Sequence, residues 1–295
     1  YGLKNTFGKR IVAVGGAGGW GAGGKKAPEI ARNLWKMEIV NVPYPDLGQR
    51  IKRARADDAL VARCAAEADR YLKQKGTTLE TKRDFLPKSF LLTEVFRDLL
   101  DEYKTDALTI NQCMGTIMGM SETTACLPLS LLNDDGYMAF CESDFVVIPS
   151  GVLLRYISGK PVFLNDPTHP HDGVVTMAHC TAPRKNDGER IDPARILTHY
   201  ESDYGASPKV EFRKGTPMTV IDPDFAGKRW LGFLSEVIGN PFLNICRSQV
   251  DIAIKGNTAK LVEEMRGFHW MACHGDYVKE TGYALRKAGV DWLTV

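Results

Sequence analysis

Two carboxylates stand where apolar runs end. Gly136 to Cys141 (GYMAFC) reads as a short apolar strand, and Glu142 follows it directly. Asp144 to Ser158 then carries Phe145, Ile148, Val152 and Tyr156 at helical spacing, so Ser143 or Asp144 reads as an N-cap. Glu142 therefore falls between a strand end and a helix start. In an open α/β sheet that edge is where loops and helix N-termini converge on ligands. A second apolar run, Pro161 to Leu164, ends in Asn165-Asp166. Two carboxylates at two strand ends can share one metal ion or one substrate carbon, provided the fold brings them together.

The elements that must position them read as two segments. In the first, Lys9 to Gly15 (KRIVAVG) is a buried-type strand, followed by GGAGGWGAGGKK, a helix from Pro28 to Lys36 and a strand from Glu38 to Val42. That order is Rossmann-like. Gly16 to Gly21 matches a dinucleotide fingerprint with Glu38 near the ribose-binding distance. Gly19 to Lys25 matches a P-loop, except that Lys26 replaces the hydroxyl that would hold Mg²⁺. Glycine-dense loops produce such matches cheaply, and a plain turn at the sheet edge explains them as well. Leu47 to Gln74 reads as one long helix and Ser89 to Tyr103 as another. The strand Asp106 to Asn111 then delivers Gln112, either a ligand for a substrate hydroxyl or a satisfied loop amide. Glu122 reads as an acid in the first turn of the next helix.

Ser158-Gly159-Lys160-Pro161 stops a helix cleanly and divides the chain into residues 1–158 and 159–295. Beyond it, Val174 to Cys180, Lys209 to Lys214, Pro217 to Ile221, Trp230 to Val237 and Ile245 to Lys255 read as strands joined by turns. The expected class is α/β: a Rossmann-like domain with a parallel sheet, then an α+β domain containing an antiparallel barrel or sheet. A helix near Thr258 to Met265, a strand bearing His269 and a helix from Asp276 to Ala288 close the chain.

Cys126-Leu127-Pro128, then Phe140-Cys141-Glu142-Ser143-Asp144, then Asp166, then His269 in FHWMACHGD follow one another in an order that resembles the L-fucose isomerase family, relatives of L-arabinose isomerase. The resemblance is clear from about residue 105 onward and faint before it. It implies a Mn²⁺-type ion held by Glu142, Asp166 and His269, and interconversion of an aldose and a ketose through an enediolate, with Glu142 and Asp166 as proton carriers. It implies further that His179, in a His-Cys pair ending a strand, lines the sugar site, that the protein is a homo-oligomer (a trimer or hexamer), and that another Rossmann-like domain precedes this segment. Phe268 departs from the pattern, which often has a polar sugar ligand there. Taken singly, each residue has an ordinary explanation: Glu142 as a first-turn acid, Asp166 before Pro167 as a turn initiator, His269 as a satisfied core histidine. Their joint order carries the reading.

Bulk properties narrow the alternatives. With 44% hydrophobic and 25% charged residues the chain is neither disordered nor membrane-like, and no run reaches the length of a membrane span. A net charge of +2, with basic residues interleaved with acids, argues against a nucleic-acid partner. Seven scattered cysteines without C-x-x-C fit free thiols in a reducing, cytoplasmic compartment better than a disulfide framework. The start at Tyr1 reads as a fragment or processed form, so a targeting signal could have been removed. His169 and His171 read as loop residues, and Asp276 as the cap of the last helix. Two competing functions stay open: an NAD(P)-dependent oxidoreductase using the glycine loop, and a non-catalytic sugar-binding relative.

Overall fold

A computed structural model describes all residues, 1–295. After a short helix α1 (Gly2–Thr6), strand β1 (Arg10–Val14) buries Ile11 to Val14 without interruption. A run buried on both faces is what a parallel sheet covered by helices demands. The glycine-rich loop leads into α2 (Ala27–Trp35) and β2 (Glu38–Val42). The helix expected over Leu47 to Gln74 is two helices, α3 (Tyr44–Arg55) and α4 (Asp58–Leu72). Asp57 breaks it: its backbone leaves the helical region and its carboxylate accepts from Leu60 N at 3.0 Å, capping α4. A short strand β3 (Thr77–Leu79) precedes the long helix α5 (Phe85–Glu102), against which α3 and α4 both pack.

Strand β4 (Ala107–Ile110) ends at a π-turn over Cys113–Ile117, followed by α6 (Met118–Ser121) and α7 (Cys126–Asp134). Glu122 does not open a helix. It terminates α6 in the left-handed region, φ 56°, and its carboxylate pairs with Arg55 and Lys88. Strand β5 (Met138–Phe140) and helix α8 (Ile148–Ser158) complete the first segment. Its four strands form a parallel sheet in the order β2-β1-β4-β5. The order reverses between β1 and β4, so a crevice opens beyond their carboxyl ends. Gly159 ends α8 with φ 69°, a conformation that costs glycine nothing.

The remaining strands begin with β6 (Phe163–Pro167) and β7 (Val174–His179), then β8 (Ala194–Leu197) and β9 (Ser207–Val210). Strand β9 starts and ends earlier than Lys209 to Lys214, because its partner is β8. Next come β10 (Pro217–Pro223), β11 (Arg229–Gly239) and β12 (Ser248–Ile254). Helix α9 (Thr258–Glu264), strand β13 (Trp270–His274), helix α10 (Val278–Ala288) and strand β14 (Asp291–Thr294) finish the chain. Six of these strands close into an antiparallel barrel, β10-β13-β6-β7-β12-β11, with β11 pairing back to β10. Closure removes the exposed edges that an open sheet of this size would present. Strand β14 adds in parallel to the free half of β11.

Two features join the segments. Strand β3 pairs with β8, and β8 with β9, forming a small sheet that draws on both. The larger apolar cluster likewise runs through both, from Val12 and Phe96 to Phe233 and Trp270. No helix is long and apolar enough to cross a membrane.

Candidate metal centre

Glu142 and Ser143, directly after β5 and Cys141, both have positive φ, 64° and 47°. Non-glycine residues pay roughly 1–2 kcal/mol each for that conformation, and consecutive examples persist only where the surroundings hold them. Here Ser143 N donates to Thr109 Oγ1 on β4 at 3.1 Å, while Gly18 N donates to Ser143 O at 3.2 Å. The tight turn places alternate carboxylates on opposite nitrogens of one imidazole. Glu142 Oε2 lies 3.5 Å from His269 Nε2, and Asp144 Oδ2 lies 2.7 Å from His269 Nδ1.

Asp144 is therefore not a helix cap. Helix α8 starts four residues later, and Asp144 is fully buried, its second oxygen accepting from Trp20 N and Val146 N, each at 3.1 Å. The pattern Ser/Asp-before-apolar-helix is the same for a cap and for a carboxylate aimed at a distant histidine, so sequence spacing could not separate them.

The other donors come from the barrel rim. Asp166 on β6 pairs with Ala178 on β7, and Asn165 with Trp270 on β13. That register brings Asp166, His179 and His269 to the ends of three neighbouring strands. Asp166 Oδ1 lies 3.2 Å from His269 Nε2, and Glu142 Oε1 lies 3.5 Å from His179 Nε2. The donor atoms of Asp166, His179 and His269 all fall within 4.8 Å of one another, as do those of Cys141, Glu142 and His179. Of the three residues expected together, Glu142 and Asp166 both approach His269 Nε2, and His179 lies beside each carboxylate. Gln112 stands apart: it is exposed, at φ 50°, on the rim of the adjoining cavity. His169 and His171 are exposed in the loop after β6.

The cluster suits a divalent cation. His179 and His269 are buried, and each has its Nδ1 engaged, by Thr181 Oγ1 at 2.9 Å and by Asp144. Their Nε2 atoms are buried without a hydrogen-bond partner and face the carboxylates. An imidazole oriented through one nitrogen and free at the other is how histidine presents itself to a metal. Burial pushes the Glu142 carboxyl up, but His179 and His269 outweigh it and hold it well below the ordinary carboxylate range. Burial opposes charge on His269, yet Asp144, Asp166 and Glu142 outweigh it and raise its pKa well above 6.5. Both shifts express one field, which favours positive charge at the centre of the cluster.

The glycine-rich loop is the cover of this site. Phe145 N donates to Gly18 O at 3.1 Å, and the Trp20 ring stacks on Phe268 at 5.2 Å with its edge toward His269. A Cβ at Gly19 would stand 2.8 Å from Gly24 O, so the loop's close approach to itself requires glycine. Its amides at Gly18 and Trp20 are occupied by Ser143 and Asp144, and they do not form an open phosphate cradle. Beside the cluster a cavity of about 530 Å³ opens between Trp20, Gln112, Met114, Thr181, Glu201 and Phe268. Asp144 and Trp20 are the contributors that sequence reasoning missed; a tryptophan inside an otherwise glycine-rich loop was the available signal for the second.

No family model matches the chain, and no curated protein matches it.

Proposed function

We propose that this chain carries the metal site of a divalent-cation-dependent aldose–ketose isomerase acting on a fucose- or arabinose-like sugar or a modified sugar. The observation that carries the reading is the approach of both Glu142 and Asp166 to His269 Nε2, at 3.5 and 3.2 Å, with His179 beside each carboxylate. On this reading the four-stranded parallel sheet is Rossmann-like and the barrel is the isomerase's C-terminal domain. Carboxylate oxygens with imidazole nitrogens favour Mn²⁺ over thiophilic ions at this position.

The bound cation would supply Lewis-acid charge where an oxyanion develops during enolisation. The protein's own groups do the rest. Glu142, a carboxylate beside the cation site, serves as a proton acceptor. Asp166, 37% exposed at its side chain, faces the cavity and is placed to return a proton. His269 is locked by Asp144, so its Nε2 cannot rotate away. Trp20 and Phe268 close one wall with apolar surface, which limits water near a reactive carbanion.

The test is isotopic. The full-length protein, loaded with Mn²⁺ and given a panel of aldoses in D₂O, should place deuterium at C1 or C2 of the product. Glu142→Gln should abolish the exchange and lower the bound Mn²⁺ from about one per chain. Absence of exchange across the panel with Mn²⁺ bound would leave the sugar-binding alternative; bound Mn²⁺ unchanged by Glu142→Gln would remove the site assignment.

A further inference from the structure

Five of the seven cysteines meet at one cavity. Cys113 follows β4, Cys126 opens α7, Cys141 follows β5, Cys180 follows β7 and Cys246 precedes β12, yet all five line the space beside Glu142, Asp166 and His179. Buried free thiols ordinarily pack in an apolar core as small hydrophobes. These share a wall with three carboxylates, Glu142, Asp166 and Glu201, and two imidazoles, His179 and His199.

The pair nearest the cluster has a specific geometry. Cys113 Sγ and Cys141 Sγ lie 3.7 Å apart, too far for a disulfide, whose sulfurs are bonded at about 2.05 Å. Two thiolates on one tetrahedral Zn²⁺-like ion, each at about 2.3 Å, stand roughly 3.8 Å apart. Cys141 Sγ is also within 4.8 Å of donor atoms of Glu142 and His179. Cys141, Glu142 and His179 thus offer three ligand atoms close together, and Cys113 stands at ligand spacing from Cys141 as the fourth donor.

We propose that the cavity holds a second cation site, selective for a thiophilic ion such as Zn²⁺, Cd²⁺ or Cu⁺, with Cys113 and Cys141 as its defining ligands and Glu142 and His179 shared with the neighbouring oxygen-rich site. The two sites lie side by side along one row of donors: Asp166 and His269 at the hard end, Cys113 and Cys141 at the soft end. Soft ions select thiolate and hard ions carboxylate. Because the one free nitrogen of His179 cannot serve both ions at once, filling the soft site weakens the hard one. Binding exchanges the two S–H protons for the ion and releases them to solvent. No oxidant is involved.

The site goes beyond the isomerase reading, and its readout needs no turnover. Cd²⁺ added to the reduced full-length protein should produce the ultraviolet thiolate-to-Cd²⁺ charge-transfer band, saturating near one ion per chain, and should weaken Mn²⁺ binding. Cys113→Ser, at a half-buried position and nearly isosteric, should lower Cd²⁺ affinity by at least about tenfold, since losing a direct ligand costs no less than losing an outer-shell partner. Asp166→Asn, which damages only the hard end, should leave the band in place. In the unmodified protein Cd²⁺ should protect Cys113 and Cys141 from alkylation, read by peptide mass spectrometry, so the result does not depend on a variant folding. A missing band, a band indifferent to Cys113→Ser, or protection confined to Cys126, Cys180 and Cys246 would each overturn the proposal.

Discussion

Asp144 shows how much one buried carboxylate does. It touches no solvent, holds His269 Nδ1 at 2.7 Å and ties down Trp20, so three parts of the chain depend on it. Asp144→Asn keeps the shape and removes the charge. Outer-shell substitutions of this kind cost about 10- to 100-fold in metal affinity, and Mn²⁺ binding measured by calorimetry should fall within that range while circular dichroism stays unchanged. A second buried group gives a pH prediction. Burial, with Arg213 and Lys160 nearby, pushes His274 down to about 4. The unfolded chain protonates this side chain near pH 6.5 and the folded chain not until about 4, so stability is lost as pH falls through that window, by about 3 kcal/mol at the acid end. His274→Leu should flatten the fall between pH 6.5 and 4 in urea midpoints. Asp134 and Asp222, raised by burial to about 7, slope the other way, so the difference between wild type and variant isolates the histidine.

At the scale of elements, the site is a meeting of one turn, one loop and three strand ends. The turn after β5 was legible because an apolar strand, an acid and a helical apolar stripe follow one another locally. The loop's purpose was not, because a glycine run has the same composition whether it cradles a phosphate or folds tightly over a neighbour. Its contacts with Ser143 and Asp144 decide for the latter. Gly19→Ala would push a methyl against Gly24 O and Ala27 Cβ, at 2.8 and 2.9 Å. Overpacking of this sort costs about 1–3 kcal/mol. The expected result is a lower melting temperature together with weaker Mn²⁺ binding, because Trp20 moves with the loop; a stability loss with unchanged binding would show that the loop does not support the site.

Across the whole molecule, the halves on either side of residue 158 share structure instead of merely touching. Trp35 at the end of α2 packs on Trp230 of β11 at 5.2 Å. Arg184 is wholly buried at the β3–β8 seam, donating to Asp192 O at 2.9 Å, Gln74 Oε1 at 2.9 Å and Thr77 Oγ1 at 2.8 Å, with its guanidinium over Tyr71. A core common to both halves predicts one cooperative unfolding transition, with tryptophan fluorescence and far-ultraviolet circular dichroism coinciding in urea. Two separated transitions would contradict it. Arg184→Ala leaves the buried Asp192 O and the part-buried Gln74 Oε1 and Thr77 Oγ1 without their donor and empties a buried site, which should cost about 3 kcal/mol, shifting that single midpoint without splitting it.

The sequence by itself determined the local grammar of this protein: buried runs for the parallel strands, short apolar runs between turns for the second-half strands, the stop at Gly159, and the acids at strand ends. These depend on side-chain periodicity within a dozen residues, which is visible in one dimension. Only the tertiary structure decided what those ends meet. Asp144 and His269 are 125 residues apart, and the five cavity cysteines come from five separate stretches of chain between residues 113 and 246. Barrel closure and sheet order, not local pattern, set such distances, because strand register depends on pairing between segments remote in sequence. The physical reason is the same for cap and ligand alike: a carboxylate's type is written in the chain, whereas the atom it neutralises is supplied by the fold.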